Sequence, residues 1–173
     1  APISIWNDQQ DSISLRDSGW LQFYAEDNQE AADLHYIGYK VAEDHQVLLP
    51  VMVCFDGFIL THTYEPVDMP TQEEVDAFLP KFVPLARLDA KDPISFGMLA
   101  TPDYYMEFRY ANDQAIHKAK DKIREYGKEF GAKFGRDYSA FVEGYALEDA
   151  ETVIVALGSL CGTSPLTSYI ESA

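Results

Sequence analysis

Cysteine is scarce in this chain: Cys54 and Cys161 are the two present in 173 residues, far apart and in no C-x-x-C motif. That excludes a disulfide framework, a zinc site and an iron–sulfur ligand set for this stretch. Cys54 sits in an apolar run and reads as a small buried residue, and a reducing, cytoplasmic setting is the expectation. Positive charge is also short, with 13 Lys and Arg against 29 Asp and Glu, a net charge of −16 and a pI near 4.4. Nucleic acid and anionic membrane surfaces repel such a chain, so neither is an expected partner. Long apolar runs are missing too. The longest, VLLPVMVCF at 47–55, is far short of the roughly 20 residues that span a bilayer. What is present is core material: 47% hydrophobic and 13% aromatic residues, enough to exclude intrinsic disorder for most of the chain.

The shortage of cations makes one of them conspicuous. The first 80 residues hold 15 Asp and Glu but only Arg16 and Lys40 as Lys or Arg. Arg16 lies in DSISLRDSGW (11–20), a loop-like run of Ser, Asp and Gly. One reading is a surface ion pair with Asp11 or Asp17, worth little if exposed. The other is an anion clamp, because a planar guanidinium donates two parallel hydrogen bonds to a carboxylate. The local pattern leaves both open.

Hydrophobic periodicity supplies the frame. ISIW (3–6) reads as a short strand and 7–19 as a polar loop. Residues 28–44 predict a helix with Asn28 as N-cap and Ala31, Leu34, Ile37 and Val41 on one face. PVMVCF (50–55) reads as a parallel strand covered on both faces. Thr71 and Glu74 have capping-box spacing for a helix over 71–79 that stops at Pro80. Prolines at 70, 80, 84, 93 and 102 mark an irregular excursion over 80–104. Residues 112–134 predict the clearest helix, with Ile116, Ala119, Ile123, Tyr126, Phe130 and Phe134 on its apolar face. A second helical stretch is expected at about 138–147, then a strand at 152–158. Strand, helix, strand at this spacing predicts an α/β fold with a mostly parallel sheet.

In such folds ligands sit outside the carboxyl ends of the strands. The loops expected there are 7–19, 56–63 and 158–163. The second carries Asp56, Gly57 and His62 as a candidate active-site loop. Its structural alternative is an Asp that caps the next turn, a Gly with positive φ and a Phe that packs. GSLCGT (158–163) is a Gly-rich turn without dinucleotide-fingerprint spacing. His35, His45 and His117 fall on or at the end of predicted helices and read as packing or solvent residues. No nucleophile elbow, Walker A loop, Rossmann fingerprint or HExxH motif is present, and no metal ligand or catalytic residue is assigned.

Five stretches taken in order, IWNDQQDSISLRDSGW, NQEAADLHYIGYKVAED, LLPVMVCFDGFILTH, EFGAKFGRDY and DAETVIVALGSLCGT, resemble the alpha subunit of the pyruvate:ferredoxin oxidoreductase family. The resemblance runs over about residues 2–163. It implies a thiamin-diphosphate-binding fold. Residues 1–147 would be the C-terminal part of the pyrimidine-type domain, and 148–173 the truncated start of a transketolase C-terminal-like domain. The chain opens without methionine on PISIW and closes on SPLTSYIESA, and both ends are expected to be cuts through a larger fold. The implied activity interconverts pyruvate plus coenzyme A with acetyl-CoA plus CO2, passing electrons to ferredoxin. Thiamin diphosphate with Mg, 4Fe–4S clusters and coenzyme A are the implied cofactors and co-substrate. A beta-type thiamin-binding subunit and an iron–sulfur subunit are the implied partners, carrying the Mg-diphosphate site and the clusters. Arg16 matches the family's substrate-carboxylate arginine, and Asp56, Gly57 and His62 match its DGF…(S/T)H loop near the active site. Alone the fragment is expected to be inactive. The alternatives are the same chemistry on branched-chain or other 2-oxoacids, or a non-catalytic assembly module.

Overall fold

The computed structural model describes residues 4–145 and 147–162. In chain order it runs α1 (Gln10–Ile13), β1 (Leu21–Tyr24), α2 (Asn28–Ala42), β2 (Val51–Cys54), α3 (Ile59–His62), α4 (Gln72–Phe78), α5 (Pro102–Phe134) and a 3-10 turn at Gly158–Leu160. β1 and β2 pair in parallel, Leu21 opposite Val51 and Tyr24 opposite Cys54, so β1–α2–β2 is a βαβ unit of the α/β class expected. Among the described residues no helix is long and apolar enough to cross a membrane.

The first strand is not the expected one. Ser4 has no regular structure and Ile5, Trp6 and Asn7 form a bend, not a strand; Ile3 lies outside the described residues. LQFY takes the place of ISIW because it, and not the earlier run, finds a ladder partner in VMVC. The sheet is covered less fully than predicted: β1 is half-buried throughout and β2 is fully buried only at Cys54. One face packs on α2, where a Cβ at Gly38 would lie 3.0 Å from Val51 Cγ1. The other face meets α1, where Gln22 Nε2 and Tyr24 Oη donate to the Ser12 carbonyl and hydroxyl at 2.7 and 3.1 Å.

α2 forms as predicted, one residue away at its cap. Asp27, in extended backbone, accepts the Glu30 N–H at 2.7 Å, while Asn28 reaches across to Glu65 at 3.0 Å. The Thr71–Glu74 capping box is present at the start of α4. α5 begins at Pro102, not at 112. Proline there was a loop signal in the sequence, yet at the first turn of a helix it loses no hydrogen bond and its fixed φ is already helical. At 33 residues α5 is about 50 Å long.

The core lies between α2, α4 and the C-terminal half of α5. Ile37, Val41, Val47, Leu49, Phe78, Ala119, Ile123 and Phe130 are buried together. Phe78 meets Phe130 edge-on at 5.4 Å, and Phe134 lies 4.5 Å from Phe130.

Gly135 closes α5 in the left-handed region, φ +80, and the chain turns back along the helix it has just left. A Cβ at Gly131 would stand 2.9 Å from Asp137 Cα, and one at Gly127 2.5 Å from the Tyr138 carbonyl. The glycines at 127, 131 and 135 are therefore the groove in which 136–139 lie. This is why the helix expected over 138–147 is absent from the described residues there. Residues 152–157 have no ladder partner among the described residues and do not form the expected strand; a strand without a neighbour leaves its N–H and C=O groups unbonded.

A buried carboxylate fixes this return. Asp33 of α2 is fully buried. Arg136 grips it with two bonds, Nε to Oδ2 at 2.5 Å and Nη2 to Oδ1 at 3.1 Å. Tyr138 Oη and Gln29 Nε2 add bonds of 2.8 and 3.0 Å. Arg136→Ala strands that charge, so it is expected to destabilise by about 3–5 kcal/mol, whereas Asp33→Leu with Arg136→Met loses far less. Urea denaturation of the three forms checks this.

Candidate functional site

The chain leaves both strands at the same end, β1 into Ala25–Asp27 and β2 into Phe55–Gly57. Three segments meet there, as the strand-end rule predicts. Asn7 Nδ2 donates to Ser159 Oγ at 3.3 Å. Gly158, at φ +68, lets its turn sit against Gln9 and the Ala25 carbonyl, where a Cβ would fall 3.3 and 3.7 Å away. A Cβ at Gly162 would approach the Glu26 carbonyl to 3.0 Å. The described part of 158–163 thus packs on the ends of β1 and β2; Thr163 lies outside the described residues.

Asp56 is 4% exposed. Its Oδ1 accepts the N–H groups of Ile59 at 2.5 Å and Leu60 at 3.0 Å, which is the capping role weighed from the sequence. Oδ2 is buried and lacks a hydrogen bond of good geometry. Burial would raise this carboxyl, but the Ser159 hydroxyl and the N–H groups of Leu60, Ile59 and Phe58 outweigh it and hold the group below the usual carboxylate range. Gly57 does not adopt the positive φ expected of it, and a Cβ there would meet nothing within 4 Å. His62 is exposed at the end of α3. Its ring stacks on Phe58 at 5.1 Å, and Phe58 lies 5.1 Å from Trp6.

Arg16 stands apart from that cluster. It follows α1 in a run of turns closed by Arg16 N–H to the Ile13 carbonyl and Ser18 N–H to the Leu15 carbonyl. Its Nη2 is 3.9 Å from Asp17 Oδ2, with the two side chains 67% and 86% exposed, and Nη1 donates to the Ile13 carbonyl at 3.4 Å. No hydrogen bond or ion pair joins it to Asp56, Gly57 or His62 among the described residues. The ion pair the sequence allowed is thus present but long and solvated, and contributes little. It leaves the fork of N–H groups accessible to an incoming anion.

Other features were not singled out in the sequence. Glu30 Oε2 accepts the Glu26 N–H at 2.7 Å. Burial first, and mutual repulsion with Asp27 and Glu143, raise both carboxyls above their ordinary range. From α5, Arg109 Nη2 donates to the Asp17 carbonyl at 3.2 Å. The only sequence signal for that contact would have been to start α5 at Pro102. Burial pushes the thiols of Cys54 and Cys161 up, as befits packed residues rather than nucleophiles. His35 bonds its own helix at Ala31, His45 bonds the Val83 carbonyl, and exposed His117 faces Asp113. No group of three or more His, Cys, Asp or Glu among the described residues is arranged to hold a metal.

Residues 1–128 match the family model described as pyruvate flavodoxin/ferredoxin oxidoreductase, thiamine-diphosphate-binding. The chain belongs to this family. It is 56% identical over 163 residues to pyruvate synthase subunit PorA of Methanothermobacter thermautotrophicus, covering 94% of this chain and 42% of that protein. The corresponding subunit of Pyrococcus horikoshii is 57% identical over 94% of this chain and 41% of its own length. A second family member from that organism, ketoisovalerate oxidoreductase subunit VorA, is 53% identical over the same shares. The chain therefore spans about two fifths of the length of these curated relatives.

Asp56→Ala removes the cap of α3 and is expected to cost about 1–2 kcal/mol. Because the folded carboxyl titrates low, its contribution is complete above about pH 4 and is lost as pH falls through the folded value. Amide exchange at Ile59 and Leu60 between pH 3 and 7 reads both effects: the wild type loses protection on acidification, and the variant lacks it throughout.

Proposed function

We propose that this chain is part of a multi-subunit, thiamin-diphosphate-dependent 2-oxoacid:ferredoxin oxidoreductase that interconverts pyruvate plus coenzyme A with acetyl-CoA plus CO2. Arg16 binds the substrate carboxylate. The observation that carries this reading is the match to several pyruvate synthase subunits at 52–57% identity over 94% of the chain, together with an accessible Arg16 guanidinium. Residues 1–147 are the C-terminal part of the pyrimidine-type domain and 148–173 open the next.

The residues present fit the substrate end of this chemistry. Two parallel N–H bonds from Arg16 orient the carboxylate and keep the keto carbon presented to the cofactor. Asp56 sets the start of α3 and with it the Phe58–His62 stack beside the strand ends, a ring face suited to an organic group. When bound, thiamin diphosphate supplies the nucleophilic carbon and the electron sink. The donors that hold magnesium diphosphate, and the 4Fe–4S clusters, are assigned to partner subunits. An acid-rich ferredoxin is repelled by a chain of net charge −16, so it docks on another subunit.

The ketoisovalerate relatives, at 52–53% identity, favour a second reading: the same chemistry on a branched 2-oxoacid. Arg16 serves both, since the carboxylate is common to all such substrates.

The test is 2-oxoacid-dependent viologen reduction with coenzyme A by the native assembly, wild type beside Arg16→Met. Loss of a charge-assisted contact predicts a fall of about 10- to 150-fold in kcat/KM. Activity unchanged by the substitution returns Arg16 to a surface ion pair. Turnover of ketoisovalerate in preference to pyruvate selects the second reading, and no turnover of any 2-oxoacid leaves a non-catalytic assembly module.

A further inference from the structure

We infer that Arg109 and Asn112, on the first half of α5, are positioning residues for Arg16: they set the Arg16–Gly19 turn so that its guanidinium meets the substrate carboxylate. The inference rests on the carboxylate reading of Arg16. The turn's own hydrogen bonds, Arg16 to Ile13 and Ser18 to Leu15, fix its shape but not its place. On the α1 side it is anchored through Ser12 to β1. On the other side the reach comes from α5. Arg109 Nη2 donates to the backbone carbonyl of Asp17, the residue after Arg16, across 92 positions of sequence. Asn112 stands against Gly19, whose φ is +94 and whose absent Cβ would fall 2.6 Å from Asn112 Nδ2. Gly19 is therefore required twice, for a backbone geometry that L side chains resist and for the approach of Asn112.

The charge works in the same direction. Asp11 and Asp17 flank Arg16 and repel an incoming carboxylate. Arg109 puts a second guanidinium at the same turn, offsetting them before contact and holding the backbone beneath Arg16 in place after it. Both effects act on binding rather than on bond breaking. The expected signature is a change in KM with little change in kcat.

The experiment is steady-state kinetics of the native assembly with Arg109→Ala, Arg109→Lys, Arg16→Met and the Arg16→Met, Arg109→Ala double variant. Arg109→Ala is expected to raise the KM for the 2-oxoacid about 3- to 10-fold at near-constant kcat, a modest loss for a solvated hydrogen bond. Arg109→Lys, which keeps a charge and a donor, recovers most of it. In the Arg16→Met background, Arg109→Ala adds less than about twofold, because there is no guanidinium left to place. Gly19→Ala shifts the turn from the other side and gives the same KM-selective loss. Amide exchange at Ser18 and Gly19 quickens in Arg109→Ala. An unchanged KM in Arg109→Ala beside a large loss in Arg16→Met overturns the inference and leaves the carboxylate reading standing. So does a loss of the same size in both backgrounds, or one confined to kcat. If Arg16→Met is itself silent in an active assembly, the carboxylate reading falls and this inference with it, a result that does not involve Arg109.

Discussion

One buried charge organises the helical side of this molecule. Asp33 points from α2 into the core, and a carboxylate without water needs partners with full geometry. Arg136 and Tyr138 supply them from beyond the end of α5. To reach Asp33 the chain must reverse at once, which takes the left-handed turn at Gly135, and must then lie against α5, which takes the bare faces of Gly131 and Gly127. The same guanidinium reaches Asp68 at 3.2 Å, and Gln29 exchanges two bonds with the Asp68 backbone. The linker between α3 and α4 is thereby tied to the same point. Such a pair adds little net stability over an apolar substitute, but it penalises other arrangements by the cost of an orphaned ion. Its effect is to select one path for the chain.

A second polar knot closes the other end of the α2–α5 contact. Asp44 accepts from Tyr126 Oη at 2.5 Å and pairs with Lys122 at 3.3 Å. Burial would raise Asp44, but those bonds and the Gln46 N–H hold it below its usual range. Burial and the same carboxylate push the Tyr126 phenol up to about 12. Lys40 bonds Glu129 at 2.6 Å and lies 4.1 Å over the Phe78 ring. In a chain with more than twice as many acids as Lys and Arg, Lys40, Lys122 and Arg136 are thus committed to acids and rings inside the fold. Arg16 is different. Its acidic neighbour is 3.9 Å away in solvent, so its charge carries almost no structural duty.

The apolar faces of α2 and α5 were legible, because burial imposes a 3.6-residue period that survives in the sequence: Leu34, Ile37, Val41, Ala119, Ile123 and Phe130 are all in the cores. The capping box at Thr71 was legible because its chemistry is local. The misses share a cause. LQFY does alternate, with Leu21 and Phe23 packed against the core and Gln22 and Tyr24 bonded to Ser12, but four residues are too short a run to stand out, and only its pairing with VMVC identifies it. The glycine spacing of 127, 131 and 135 was visible, but its partner segment was not. Likewise Arg109 and Asp17 meet through a helix whose beginning was hidden by Pro102. The topological rule placed the loop after β2 correctly, and Asn7, Gln9 and the Gly158 turn do gather beside it, but 7–19 as a whole leads into β1 and does not leave a strand, so Arg16 does not share the Asp56 loop.

The length of α5 joins these observations. Its C-terminal half is built into the core at Ala119, Ile123 and Phe130 and is latched at Asp33 just beyond its end. Its first three turns, 102–111, are exposed throughout, Tyr104, Tyr105, Met106, Phe108 and Tyr110 among them. A helix is stiff along its hydrogen-bond ladder, so the position of the exposed end is inherited from the buried half. The turn that holds Arg16 touches α5 at Arg109 and Asn112. A side chain with no buried partner of its own can still be well placed when the backbone beneath it rests on such a rod. That arrangement reconciles an accessible guanidinium, which an anion needs, with a fixed one, which orientation of a carboxylate needs.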